Sequence, residues 1–137
     1  MNLSGQSIIR FCEIPTETLV VCDDIYLPFG EVRIRNAGGD GGHNGLKSVI
    51  KSLNDDRFIR MRIGVGYPDE SEKLQDFVLD NFSEKELLIL DKTINFALML
   101  IDCFIANGYQ YMLNHYSKYK KTYSESIISE SMSTGGK

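Results

Sequence analysis

A glycine-rich run, Gly38-Gly-Asp-Gly-Gly-His-Asn-Gly45, stands directly before an amphipathic segment, Leu46-Lys-Ser-Val-Ile-Lys-Ser-Leu53. Glycine lets a backbone take positive φ and come close to a ligand. A helix start behind such a run offers free N–H groups and the positive end of a dipole. Neither nucleotide fingerprint fits: no lysine stands where a Walker loop needs one, and Asn44 falls where the dinucleotide motif wants its third glycine. The run therefore suits backbone approach to some other polar group, or else a plain strand-to-helix turn. His43 and Asn44 fall in the first turn of the helix, where they can share a crevice with Asp23. A histidine there can take a proton near neutral pH. It can equally cap the helix or fill the core, and Asn44 and Asp23 can equally be caps.

The charges form a second constellation. Arg33, Arg35, Lys47, Lys51, Arg57, Arg60 and Arg62 are opposed in that stretch only by Asp40, Asp55 and Asp56, so it carries about +4 in a chain of net charge -4. Such asymmetry permits a basic face for phosphate or nucleic acid on an acidic protein. The alternative is a set of solvated charges with no common face.

The elements that must position these groups follow from periodicity. Asn2 or Ser4 can cap a short helix with Ile8, Ile9 and Cys12 at helical spacing, stopped near Pro15. Thr18-Leu-Val-Val-Cys22 reads as a buried, central parallel strand, and Asp23-Asp24 then sits at its C-terminal end, where open α/β sheets hold ligands. Residues 31–36 alternate, with Val32 and Ile34 on one face and Arg33 and Arg35 on the other. Leu46, Val49, Ile50 and Leu53 make one helix face. Residues 58–65 alternate again, with Arg60 and Arg62 expected outward. Ser83-Glu-Lys-Glu86 has the form of a capping box and opens a helical stretch to about Asn107. Because that stretch is apolar nearly all round from Ile94, it should be buried on more than one side. Serine-rich residues 122–137 read as a mobile tail, which leaves residues 1–121 as one domain.

Several function classes are disfavoured. The odd set Cys12, Cys22 and Cys103 argues against a disulfide framework. With no CxxC pair and two histidines, a zinc site is not expected. The start has no signal-peptide pattern, and the most apolar stretch, residues 94–106, is short for a membrane span and contains Asp102. A cytoplasmic setting is expected.

Taken in order, the blocks Met1-Asn-Leu-Ser-Gly5, Asp23-Asp-Ile-Tyr-Leu-Pro-Phe-Gly30, Arg33-Ile-Arg35, Gly41-Gly-His-Asn-Gly-Leu-Lys47 and Phe58-Ile-Arg-Met-Arg-Ile-Gly-Val-Gly66 strongly resemble the bacterial-type peptidyl-tRNA hydrolase family. The resemblance runs to about Lys121. It implies a single-domain α/β fold, a twisted mixed sheet between helices in three layers (αβα). It implies hydrolysis of the ester joining a peptide to tRNA, in the service of translation, by a monomer without metal or cofactor. By the same resemblance Asp23 orients a histidine base, Asn2 and Asn44 hold the peptide main chain and the 3′ end, and Arg35 and Arg62, with Arg33 nearby, grip tRNA phosphate. His43 lines the crevice without being the base.

The sequence departs from the family in one large respect. The N-terminal strands and helix, with the segment carrying the catalytic histidine, have no counterpart here, so an N-terminally truncated chain with impaired hydrolysis is expected. Smaller departures are Cys22, Tyr26 and Asp40. The alternatives are a non-catalytic tRNA- or RNA-binding module, a decayed gene product, or His43 acting as a substitute base with Asp23.

Overall fold

A computed structural model describes residues 4–8, 13–66 and 82–133. Its elements are helix α1 (Ser4–Ile8), a 3-10 turn (Pro15–Glu17), strand β1 (Leu19–Asp24), strand β2 (Val32–Arg35), helix α2 (Asn44–Leu53), strand β3 (Ile59–Gly64), helix α3 (Glu84–Asn107) and helix α4 (Tyr109–Ser133). The strands form one mixed sheet in the order β1-β3-β2. The expected α/β class is met. Among the described strands β1 is an edge and not the expected centre. Its burial alternates, and Val21 is exposed, because among the described residues only the face that carries Val20 and Cys22 is covered.

The described residues fall into two compact units. The first comprises those up to Asp24 together with Arg33–Arg62. Its core joins Val20 and Cys22 of β1, Leu46 and Val49 of α2, and Phe58, with Ile8, Ile50 and Leu53 packed against them. The helical spacing of residues 46, 49, 50 and 53 delivers one apolar face, as expected. Helix α1 lies close on α2: the Gly5 amide donates to Ser48 Oγ at 3.1 Å, and a Cβ at Gly5 would stand 2.1 Å from the Ser48 carbonyl oxygen. Only glycine permits that approach.

The second unit comprises Ile25–Val32 and the described residues after Arg62. Ser83 caps α3 through the expected reciprocal capping box with Glu86. Ile89, Thr93, Phe96, Ala97, Leu100 and Cys103 form its buried face. Among the described residues the second covered side expected from the sequence is incomplete: Met99, Ile101 and Phe104 are half-buried, and Ile94, Leu98 and Ile105 are exposed.

Helix α4 overturns the expectation of a tail from residue 122. The chain is helical to Ser133, and the reason lies in its side chains. The Tyr123 ring stacks on Phe96 with centroids 4.2 Å apart. Its hydroxyl bonds the Gly30 carbonyl and the Thr93 hydroxyl, while Lys92 pairs with Glu130 at 3.2 Å. Serine content signalled polarity, and these contacts supply order regardless of it.

Candidate nucleic-acid and ester site

In the first unit, β1 delivers Asp23 and Asp24 at its C-terminal end, and the glycine loop delivers His43 to the start of α2. His43 has extended φ and ψ of -81° and 117°, and it is the residue that caps the helix. Its Nδ1 accepts the Leu46 amide at 3.1 Å, and its Nε2 stands 3.1 Å from Asp23 Oδ1. A backbone N–H only donates and a carboxylate only accepts. The ring proton must therefore sit on Nε2, and the Nδ1 lone pair is spent on the cap. The bond from His43 holds the Asp23 carboxyl below the usual carboxylate range, against an opposing push from partial burial. Of the readings open for His43, the structure shows the cap, together with a bond to Asp23.

The loop itself is tied by its own aspartate and by two arginines of β3. Asp40 Oδ1 accepts the Gly42 amide at 2.8 Å, an aspartate turn, and the Asp40 carbonyl accepts the His43 amide at 3.0 Å. Arg62 reaches Asp24 Oδ2 at 3.5 Å and the Gly39 carbonyl at 3.3 Å. Gly41, at φ +59°, could not carry a Cβ without standing 2.8 Å from Arg62 Nη1.

Arg60 departs most from the sequence expectation. Period-two alternation placed it outward beside Arg62, yet it is fully buried. Its Nη1 donates to the Gly38 and Gly39 carbonyls at 2.8 Å each. Its Nη2 donates to the carbonyls of Asp56 and Phe58, and its guanidinium lies over the Phe58 ring at 4.2 Å. Burial, with the charge of Arg62 second, pulls its pKa below the ordinary arginine value. Arginine holds its proton across the accessible pH range all the same. Carbonyl dipoles thus solvate a buried cation. The strand pattern gave no sign of this, since β3 is buried on both faces over residues 59–61.

The other expected site residues divide as follows. Arg33 and Arg35 project from the exposed face of β2, as their alternation predicts. Asn44 is the first residue of α2 and is exposed. Asn2 lies outside the described residues. The structure therefore brings together Asp23, His43 and the loop before Asn44, and joins Arg62 to Asp24. Asp24, Asp40 and Arg60 were not singled out by sequence reasoning as site residues. The place of Asp24 at the C-terminal end of β1 and the spacing of Asp40 two residues before Gly42 are signals that could have found those two; the strand pattern held none for Arg60.

Cys22, beside Asp23, is buried, and burial pushes its thiol up to about 11. Among the described residues no group of three His, Cys, Asp or Glu side chains is placed to hold a metal ion, and no helix is long and apolar enough to cross a membrane.

Comparison with known proteins gives these elements a family context. Residues 1–124 match the family model described as peptidyl-tRNA hydrolase. A peptidyl-tRNA hydrolase of Pseudothermotoga lettingae is 38% identical over 124 residues, covering 88% of this chain and 66% of the relative. One from Staphylococcus epidermidis is 39% identical over 122 residues, covering 85% and 64%. The crystal structure of peptidyl-tRNA hydrolase from Acinetobacter baumannii superposes with a TM-score of 0.69 at 32% identity, over 77% of this chain and 56% of that one. The chain thus spans just under two thirds of the length of the curated relatives it matches.

Proposed function

The chain belongs to the peptidyl-tRNA hydrolase family, and on that footing we propose that it serves hydrolysis of the ester bond between peptide and tRNA, supplying the tRNA grip and the orienting carboxylate. In this reading Asp23 is the carboxylate that fixes an imidazole base. Asn44, with Asn2, holds the peptide main chain and the tRNA 3′ end. Arg33, Arg35 and Arg62 meet phosphate, which a planar guanidinium suits. An ester yields readily once water is deprotonated and placed.

The observation that shapes the proposal is the state of the chain's two histidines. His43 spends one ring nitrogen on the Leu46 amide and the other on Asp23. His115 belongs to α4, where Nδ1 meets the Tyr111 carbonyl at 3.1 Å and the ring packs on Tyr111. The imidazole that sits beside Asp23, His43, thus has no lone pair to spare. We therefore propose impaired hydrolysis for the 137-residue chain by itself. The same observation favours a second reading, a tRNA- or RNA-binding module without hydrolysis. A cytoplasmic, monomeric protein working without cofactor accords with a tRNA substrate and with two buried free thiols, Cys22 and Cys103.

One assay separates these readings: binding and cleavage of an N-acetylated aminoacyl-tRNA measured on the same preparation. Slow, Asp23-dependent cleavage supports the enzyme reading. Tight binding with no cleavage supports the binding module, and absence of binding removes both.

A further inference from the structure

Arg60 stands outside everything the proposed function uses. It is a buried cation whose hydrogen bonds go to main-chain carbonyls: Gly38 and Gly39 in the loop, and Asp56 and Phe58 at the root of β3. A peptide unit is planar, with its C=O and the following N–H pointing opposite ways. Drawing the Gly38 and Gly39 carbonyls onto Arg60 therefore turns the N–H groups of Gly39 and Asp40 away from it. Gly38 and Gly39 are exposed, so the loop shows its amides outward and its carbonyls inward. Left to itself, a glycine-rich stretch would populate many backbone states. Here Nη1 of Arg60, which takes both carbonyls, selects one, and the guanidinium rests over the Phe58 ring.

We infer that Arg60 is a positioning residue for tRNA recognition, setting the backbone of the loop that leads into His43 and Asn44, and that it makes no phosphate contact of its own. This rests on the tRNA reading of the site. A lysine cannot replace it, because one ammonium cannot hold the two loop carbonyls that share Nη1 and at the same time the Asp56 and Phe58 carbonyls bound by Nη2. The downstream ties, Gly42 amide to Asp40 and His43 amide to the Asp40 carbonyl, depend on the loop being set first.

The test compares wild-type chain with Arg60→Lys, Arg60→Met and, as a contact control, Arg62→Met. Amide hydrogen exchange at Gly42 and His43 is read first, without RNA. Both Arg60 variants should exchange about tenfold faster or more, the loss of charge-assisted bonds to carbonyls. Wild-type rates in folded Arg60→Lys would overturn the inference, whatever the chain binds. Should Arg60→Met fail to fold, Arg60→Lys carries the comparison.

Affinity for an uncharged tRNA is then followed against salt. A residue in direct contact with phosphate, when removed, lowers the slope of log affinity on log salt by slightly under one. Arg62→Met should do so. Arg60→Lys and Arg60→Met should weaken binding about tenfold at unchanged slope. A reduced slope in Arg60→Met, or full affinity in Arg60→Lys, overturns the positioning role. If wild-type chain does not bind tRNA, the proposed function and the recognition role fall together, while the exchange data still decide whether Arg60 sets the loop.

Discussion

Nε2 of His43 lies 3.1 Å from Oδ1 of Asp23, while the other ring nitrogen caps α2 through the Leu46 amide. The ring is thus a strut between the end of β1 and the start of α2. Asparagine caps well, so His43→Asn should leave stability within about 0.5 kcal/mol, whereas His43→Ala should cost about 1 kcal/mol in urea unfolding. Any ester hydrolysis by the chain should be unchanged in His43→Asn. Its abolition in folded protein would make His43 the base after all.

The bond from His43 lowers the Asp23 pKa in the folded chain. A carboxyl depressed on folding contributes stability above its unfolded value, near the ordinary aspartate range, and loses it as pH falls through the lower folded value. Melting temperature should therefore fall as pH drops below about 4, by the contribution of this residue. Asp23→Asn keeps an acceptor for His43 but does not titrate, and its melting temperature should fall less over the same window. Parallel curves for the two proteins would contradict this.

Tyr123 ties α4 to Phe96, Thr93 and the Gly30 carbonyl. Tyr123→Phe keeps the ring and removes the hydroxyl from the Gly30 carbonyl, while Thr93 keeps its bond to the Ile89 carbonyl, so about 1–2 kcal/mol of stability should be lost. Truncation after Lys121 should cost more, since the stack goes as well. Unchanged urea midpoints would restore the view of these residues as a tail.

Those outcomes bear on what the sequence could disclose. Strand β2 and the buried face of α2 were legible because each obeys one period: Val32 and Ile34 point in, and Leu46 and Val49 face the core. Gly41-Gly-His-Asn-Gly45 was legible as an unusual loop before a helix. Arg60 was not, because alternation reports the side of a strand and cannot report that both sides are covered. The order of α4 past residue 121 was hidden for a similar reason. It comes from one tyrosine meeting partners 27 to 93 positions away, which no local composition encodes. The choice between cap and catalyst at His43 needed the positions of Leu46 and Asp23 together.

Cys22 offers a check on the site's interior. Its thiol is buried and pushed up to about 11, so little reactive thiolate exists near neutral pH. Peptide mapping after brief iodoacetamide treatment at pH 8 should find Cys22 unmodified in native chain and modified in urea. Rapid native labelling would mean that the end of β1 opens readily.

The most direct measurement is binding and hydrolysis of N-acetyl-aminoacyl-tRNA by this chain, beside the Staphylococcus epidermidis relative in the same buffer. Salt-sensitive binding is expected, with cleavage about 10²–10⁴-fold slower than the relative, the span that a positioned general base contributes. Cleavage at the relative's rate would show that a base operates among these residues, and no binding at low salt would remove the tRNA site itself.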